Sequence, residues 1–149
     1  MSKKIDFYQF QRKFSTDMKC YKYLLQQRWP NGFICPRCEQ DKYSFHTKRN
    51  LFQCKNCNYQ ASVTAGTIFH KTRTPLRKWF WMIFLISRNK TGYSIHYLMR
   101  LLEFKCYKTA WIMTHKIHKA MSDRESKYKL SGIIELDDSY FGAKNVTGK

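Results

Sequence analysis

Four of the six cysteines in this 149-residue chain stand in two matched pairs. Cys35-Pro36-Arg37-Cys38 and Cys54-Lys55-Asn56-Cys57 are Cys-x-x-Cys units separated by fifteen residues. Each unit can present two thiolates, and two units at this separation match the pattern that encloses a tetrahedral zinc ion. Four protein ligands leave no position for a catalytic water, so the zinc expected here is structural. The other reading, two unrelated redox dithiols or inert thiols, makes the matched spacing a coincidence. His46, between the pairs, is expected to be a strand residue rather than a ligand. Cys20 and Cys106 have no partner at ligand spacing and are expected to be small buried hydrophobes.

The second chemical resource is positive charge. Lys and Arg number 28 against 10 acidic residues, for a net charge of +18. Residues 1–130 hold 26 basic and 7 acidic side chains (+19), whereas 131–149 hold 2 and 3. Four thiolates and one Zn²⁺ would still leave the first 130 residues at +17. With 43% hydrophobic and 17% aromatic residues the chain can bury a core, so this is not a disordered basic tail. A folded body this basic attracts a polyanion, because neutralising phosphates releases their counterions. Solubility alone needs far less charge.

These side chains need a scaffold, and the pattern supplies one. Ser15-Thr16-Asp17 reads as a helix start, with Met18, Tyr21, Leu24 and Leu25 following at helical spacing. Trp29-Pro30-Asn31-Gly32 stops that helix. Tyr43 to His46, a Lys48-Arg49-Asn50 turn, and Leu51 to Gln53 form a hairpin that brings the knuckles together. Thr74 as N-cap and Pro75 at the first helical position open a further helix through Trp79, Ile83 and Ile86, ending by Thr91-Gly92-Tyr93. In it, Trp79 and Trp81 are expected to pack rather than stack on bases. Its apolar run, Trp79 to Ile86, spans 8 residues, far short of the ~20 that cross a bilayer. Met1-Ser2-Lys3-Lys4 is not followed by a signal-peptide core, so a cytoplasmic location and reduced cysteines are expected.

Ser94 can cap a helix to about Leu102, and a last one runs from about Tyr107 to Met121. Their lengths suit a helix-turn-helix, whose second helix would lie in the major groove of double-stranded DNA. Lys105, Lys108, Thr109, Lys116 and Lys119 are its candidate DNA contacts, with Ala110, Met113 and Ile117 facing inward. Two ordinary antiparallel helices with basic solvent faces satisfy the same spacing. His115 and His118 are expected at the surface rather than as a metal pair. After Ser131-Gly132, Ile133 to Asp137 reads as a β-strand. The fold class expected is α+β: a small zinc ribbon of short antiparallel strands plus a helix-turn-helix-like bundle. The expected segments are an N-terminal helical part (1–32), the ribbon (33–70), a helical DNA-binding region (71–130) and a final segment (131–149).

Several longer stretches resemble one family in combination. They are Arg28-Trp29-Pro30-Asn31-Gly32-Phe33-Ile34-Cys35-Pro36-Arg37-Cys38, Thr64-Ala65-Gly66-Thr67-Ile68-Phe69-His70 and Leu76-Arg77-Lys78-Trp79-Phe80. Lys108-Thr109-Ala110-Trp111 and Glu135-Leu136-Asp137-Asp138-Ser139-Tyr140-Phe141-Gly142 complete the series. From Phe14 to Lys149 the chain resembles bacterial insertion-sequence transposases with an N-terminal zinc ribbon, a helical DNA-binding region and an RNase-H-like, DDE-type (ISXO-two-like) catalytic domain. The resemblance implies that 131–149 begins such a domain and that Asp137 is the first of its metal-binding carboxylates. A carboxylate at a strand end can reach Mg²⁺ or Mn²⁺, and two such ions would drive phosphoryl transfer in the full-length relative. It also implies transposon-end DNA as partner. One departure concerns the interhelical turn, Glu103-Phe104-Lys105-Cys106, where the family more usually has a Gly and a Ser cap. A positive φ at Phe104 would be strained.

The expected function is therefore the DNA-binding front part of a transposase. It is expected to be catalytically incomplete, because one strand cannot form the catalytic sheet. A stand-alone zinc-ribbon and helix-turn-helix transcriptional regulator is the alternative, and a ribbon that binds protein or RNA a third. A homo-oligomer is compatible with either of the first two.

Overall fold

A computed structural model describes residues 5–47, 49–89 and 91–127. The expected strand at 133–137, with Asp137, lies outside the described residues. The order of elements is α1 (Phe7–Lys13), α2 (Asp17–Arg28), β1 (Tyr43–His46), β2 (Leu51–Cys54), β3 (Gln60–Ser62), α3 (Leu76–Arg88), α4 (Ile95–Leu101) and α5 (Tyr107–Glu125). The architecture is α+β, with a three-stranded antiparallel sheet in the order β1-β2-β3 beside the helices.

Two apolar clusters hold the chain together. The helical one collects Phe10, Phe14, Cys20, Phe69, Trp79, Phe80, Met82, Leu98, Ala110, Met113 and Ile117. The ribbon cluster collects Tyr21, Phe33, Cys35, Phe52, Cys54, Ala61 and Val63. Helix α2 serves both: neighbouring residues on a helix point ~100° apart, so Cys20 enters one core and Tyr21 the other. Leu24 and Leu76 pack against both clusters. The Tyr21 hydroxyl donates to the Asn50 carbonyl at the hairpin turn (3.1 Å). Arg28, at the end of α2, donates to the carbonyls of Val63 (3.0 Å) and Ala65 (2.5 Å) beyond β3.

Most expected helix signals operate as read. Thr16 caps α2 by accepting from the Lys19 amide, and Ser94 caps α4 by accepting from the Tyr97 amide. Helix α2 stops at Arg28 before the Trp29-Pro30 step. Three readings need correction. Helix α1 is a separate element within the expected N-terminal helical part; its start is marked by an Asp6 amide donating to Gln9 Oε1 (3.3 Å). Helix α3 begins one residue later than expected, with Pro75 at the N-cap and no side-chain cap of its own. Asp17 Oδ1 accepts from the Arg77 amide (2.8 Å), so a carboxylate in the first turn of α2 supplies the cap that Thr74 does not. Cys106, expected to be buried, is exposed at the N-cap of α5.

The turn between α4 and α5 avoids the strain expected at Phe104. The left-handed residue is Glu103 (φ 52°). The Phe104 amide bonds the Met99 carbonyl (2.9 Å) and the Glu103 amide the Arg100 carbonyl (3.2 Å), the bond pair of a Schellman ending. Lys78 of α3 donates to the Glu103 carbonyl (2.8 Å) and lies over the Phe104 ring.

Candidate functional site

The four paired cysteines converge. Their Sγ atoms all lie within 4.8 Å of one another, with Cys35–Cys57 at 3.6 Å and Cys38–Cys54 at 3.5 Å. A tetrahedron of thiolates ~2.3 Å from a zinc ion has edges of roughly 3.8 Å, so the cluster has the dimensions of that ion's shell. Among the described residues it is the one group of three or more His, Cys, Asp or Glu that could hold a metal. A soft, all-sulfur donor set with four ligands fits structural zinc.

The two knuckles are built alike. The Cys35 carbonyl accepts from the Glu39 amide (2.9 Å), and the Cys54 carbonyl accepts from the Asn58 amide (3.1 Å). Glu39 (φ 58°) and Asn58 (φ 57°), each four residues past the first cysteine, both take the left-handed conformation. The Cys35 amide reaches Gln40 and the Cys54 amide reaches Tyr59, closing each loop. β2 delivers Cys54 beside buried Phe52, which stacks on Phe33 (5.1 Å between centroids).

This folding directs backbone N–H groups at sulfur. The Cys54 thiol is lowered to about 7, first by the Cys57 amide. At Cys35 burial pushes upward, but the amides of Arg37 and Cys38 and bonds from neighbouring thiols hold it below the ordinary value. At Cys57 the Tyr59 amide favours the thiolate, yet burial and bonds with Cys38, Cys35 and Cys54 prevail, raising it to about 12. Four thiolates this close repel one another, and a divalent cation relieves that repulsion. His46 stands in β1 with Nε2 2.7 Å from Gln53 Oε1, away from the ligand set.

Helix α5 buries Ala110, Met113, Thr114 and Ile117 and leaves Lys108, Lys116 and Lys119 exposed. Lys105 is exposed in the preceding turn, and Thr109 is half-buried. Thr114 was missed as an inward residue; its hydroxyl is satisfied by the Ala110 carbonyl (2.9 Å). No carboxylate occurs between Tyr107 and Ser122. The same face carries exposed Tyr107, Trp111, His115 and His118, with Trp111 against His115 (4.1 Å between centroids). Trp79 is a packing residue, as expected: it is buried and donates from Nε1 to Thr72 Oγ1 (2.8 Å). Among the described residues no helix is long and apolar enough to cross a membrane.

Residues 15–60 match the model of the transposase zinc-ribbon domain family. The match begins at the start of α2 rather than at the knuckles, in keeping with the place of Tyr21 in the ribbon core. An uncharacterised protein of the transposable element ISH50 from Halobacterium salinarum is 28% identical over 135 residues, covering 89% of this chain. The chain spans 44% of the length of that relative. No solved structure matches.

Proposed function

We propose that this chain is the DNA-binding part of an insertion-sequence transposase, recognising duplex DNA at transposon ends. In this reading Cys35, Cys38, Cys54 and Cys57 hold one structural zinc ion, which fixes the ribbon. Helix α5 lies in the major groove, with Lys105, Lys108, Lys116 and Lys119 on phosphates or base edges and Thr109 beside them. One observation carries the DNA reading: from Tyr107 to Ser122 the exposed face of α5 carries lysines and no carboxylate, on a body whose first 130 residues carry +19. The likeness of residues 15–60 to a transposase zinc ribbon supports the transposon assignment.

Cleavage and strand transfer would belong to the whole protein, with Mg²⁺ or Mn²⁺ held by Asp137 and carboxylates from other elements. The acids among the described residues do not build such a site. Asp6 precedes α1, Asp17 caps α3, Glu39 and Glu103 lie in turns, Asp41 precedes β1, and Asp123 and Glu125 end α5.

The test is a salt titration of duplex binding. Four lysine–phosphate contacts give a slope of log affinity against log salt of about −3.6, roughly a 150-fold loss between 50 and 200 mM. Lys108→Ala with Lys116→Ala should weaken binding to every sequence and reduce the slope by about 1.8. A salt-independent affinity, or no binding at low salt, would refute the reading.

A further inference from the structure

The ribbon sheet has a second face that neither the zinc site nor the cores use. Strand pairing sets Phe45 opposite Phe52 and Phe52 opposite Ala61, while Ser44 pairs with Gln53 and Gln53 with Gln60. Alternation along the strands therefore sends Phe52, Cys54 and Ala61 inward, and Ser44, His46, Leu51, Gln53, Gln60 and Ser62 outward. A depression of about 460 Å³ is lined by the outward His46, Leu51, Gln53 and Gln60, by Thr47 and Arg49 of the turn, and by Phe45, which the register sets on the Phe52 side.

We propose that this face enters the major groove of duplex DNA, with Gln53 and Gln60 reading base edges. The inference rests on the DNA-binding function above and assigns that function a second contact surface. Carboxamides offer a donor and an acceptor side by side, the arrangement that pairs with adenine in the major groove. The His46 Nε2···Gln53 Oε1 bond of 2.7 Å orients the Gln53 amide. With that imidazole nitrogen as donor, the Gln53 NH₂ and a second Oε1 lone pair stay available.

Charge and size fit the same occupant. No carboxylate lines the depression, and Arg49 borders it at the hairpin turn. At the opposite end of the strands Lys42 and Lys55 are both exposed and joined by a backbone bond from the Lys55 amide to the Lys42 carbonyl (3.0 Å). Strands of four residues are ~13 Å long, so the cations bracket a neutral reading surface, as phosphates bracket the base edges. β2 and β3, which carry Gln53 and Gln60, pair as a two-stranded ribbon ~4.8 Å between axes, the element that the ~12 Å major groove admits.

The experiment is selection from a randomised duplex library with the intact zinc-loaded chain, followed by affinity measurements on the selected and an unrelated duplex. The variants are Gln53→Ala with Gln60→Ala, Arg49→Ala, and Lys108→Ala with Lys116→Ala. Zinc content and melting temperature verify that each is folded. The glutamine pair should lose base preference, weakening the selected site about 5- to 100-fold and the unrelated duplex less than about twofold. Arg49→Ala should weaken both duplexes. Glutamine variants that keep wild-type preference while the lysine variants weaken all binding overturn this inference alone. A wild-type chain that binds no duplex overturns it together with the function on which it rests.

Discussion

Glu103→Gly should stabilise the protein, although it removes a side chain from the turn between the two candidate DNA-binding helices. Glu103 is held at φ 52° by the paired turn bonds and by Lys78 on its carbonyl. A residue with a Cβ loses about 1–2 kcal/mol in that conformation, and glycine does not. Against this, glycine loses about 0.5–1 kcal/mol more backbone entropy on folding. The net gain is about 0.5–1 kcal/mol. Glu103→Ala is the control that keeps the strain and discards the side chain. Because the carboxylate sits at the negative end of α4, alanine should itself gain a few tenths of a kcal/mol.

Thermal melts of the three zinc-loaded proteins give the comparison. For a chain of this size 1 kcal/mol moves Tm by about 2–4 °C, so glycine should melt roughly 1–4 °C above alanine. A glycine variant melting at or below alanine would show that the turn stores no strain at Glu103. The entropy of the unfolded chain would then decide the outcome. Lys78→Met, which removes the bond to the Glu103 carbonyl, should cost about 1 kcal/mol and leave the ordering of glycine over alanine intact.

Further expectations concern metal, pH and catalysis. One zinc ion per chain should be found by elemental analysis; chelation or Cys54→Ser should first abolish hydrogen-exchange protection at Phe52 and Ala61, and unchanged protection would contradict the zinc assignment. Burial, with help from Asp17, raises Cys20 to about 11, and burial raises Tyr21 to about 12. Both groups are neutral in the fold and ionise more readily once unfolded, so their contribution is complete below pH 9 and is lost as pH rises through about 11 and 12. Tyr21→Phe should flatten the upper part of that decline in alkaline denaturation curves, and an unchanged curve would remove Tyr21 from the account. With Mg²⁺ or Mn²⁺ and transposon-end duplex, the 149-residue chain should neither nick nor join DNA; metal-dependent nicking abolished by Asp137→Ala would reverse this.

What the sequence disclosed follows from the range of the interactions involved. The cysteine cluster was legible because each knuckle is a local loop whose two sulfurs are fixed by adjacent amides. The β1–β2 hairpin and the caps Thr16 and Ser94 were legible for the same reason. Helix α1 was harder: seven residues are too few for a stable isolated helix, and this one is held by Phe10 stacking on Phe84 (4.3 Å) and meeting Trp81 (5.1 Å). The start of α3 depends on a carboxylate sixty residues earlier, which no reading around Thr74-Pro75 could supply. Cys106 was read from its chemical type alone, whereas the N-cap position it occupies faces solvent.

The joint between ribbon and helices lies in that same non-local class, and it governs how the two candidate DNA faces are held. The Trp29-Pro30-Asn31-Gly32 stop invites a boundary after Gly32. Yet Tyr21 closes the ribbon core and ties the hairpin turn through Asn50, while Arg28 holds the strand exit at Val63 and Ala65. On the adjoining side of α2, Cys20 is buried against the core that carries α3 and α5, and Asp17 caps α3 directly. Helix α2 is thus the shared wall of both cores. The outward sheet face and the lysine face of α5 are mounted on one hydrogen-bonded element rather than on a flexible connection. A duplex meeting both faces would meet them in a relative orientation fixed before binding, without the cost of ordering a linker.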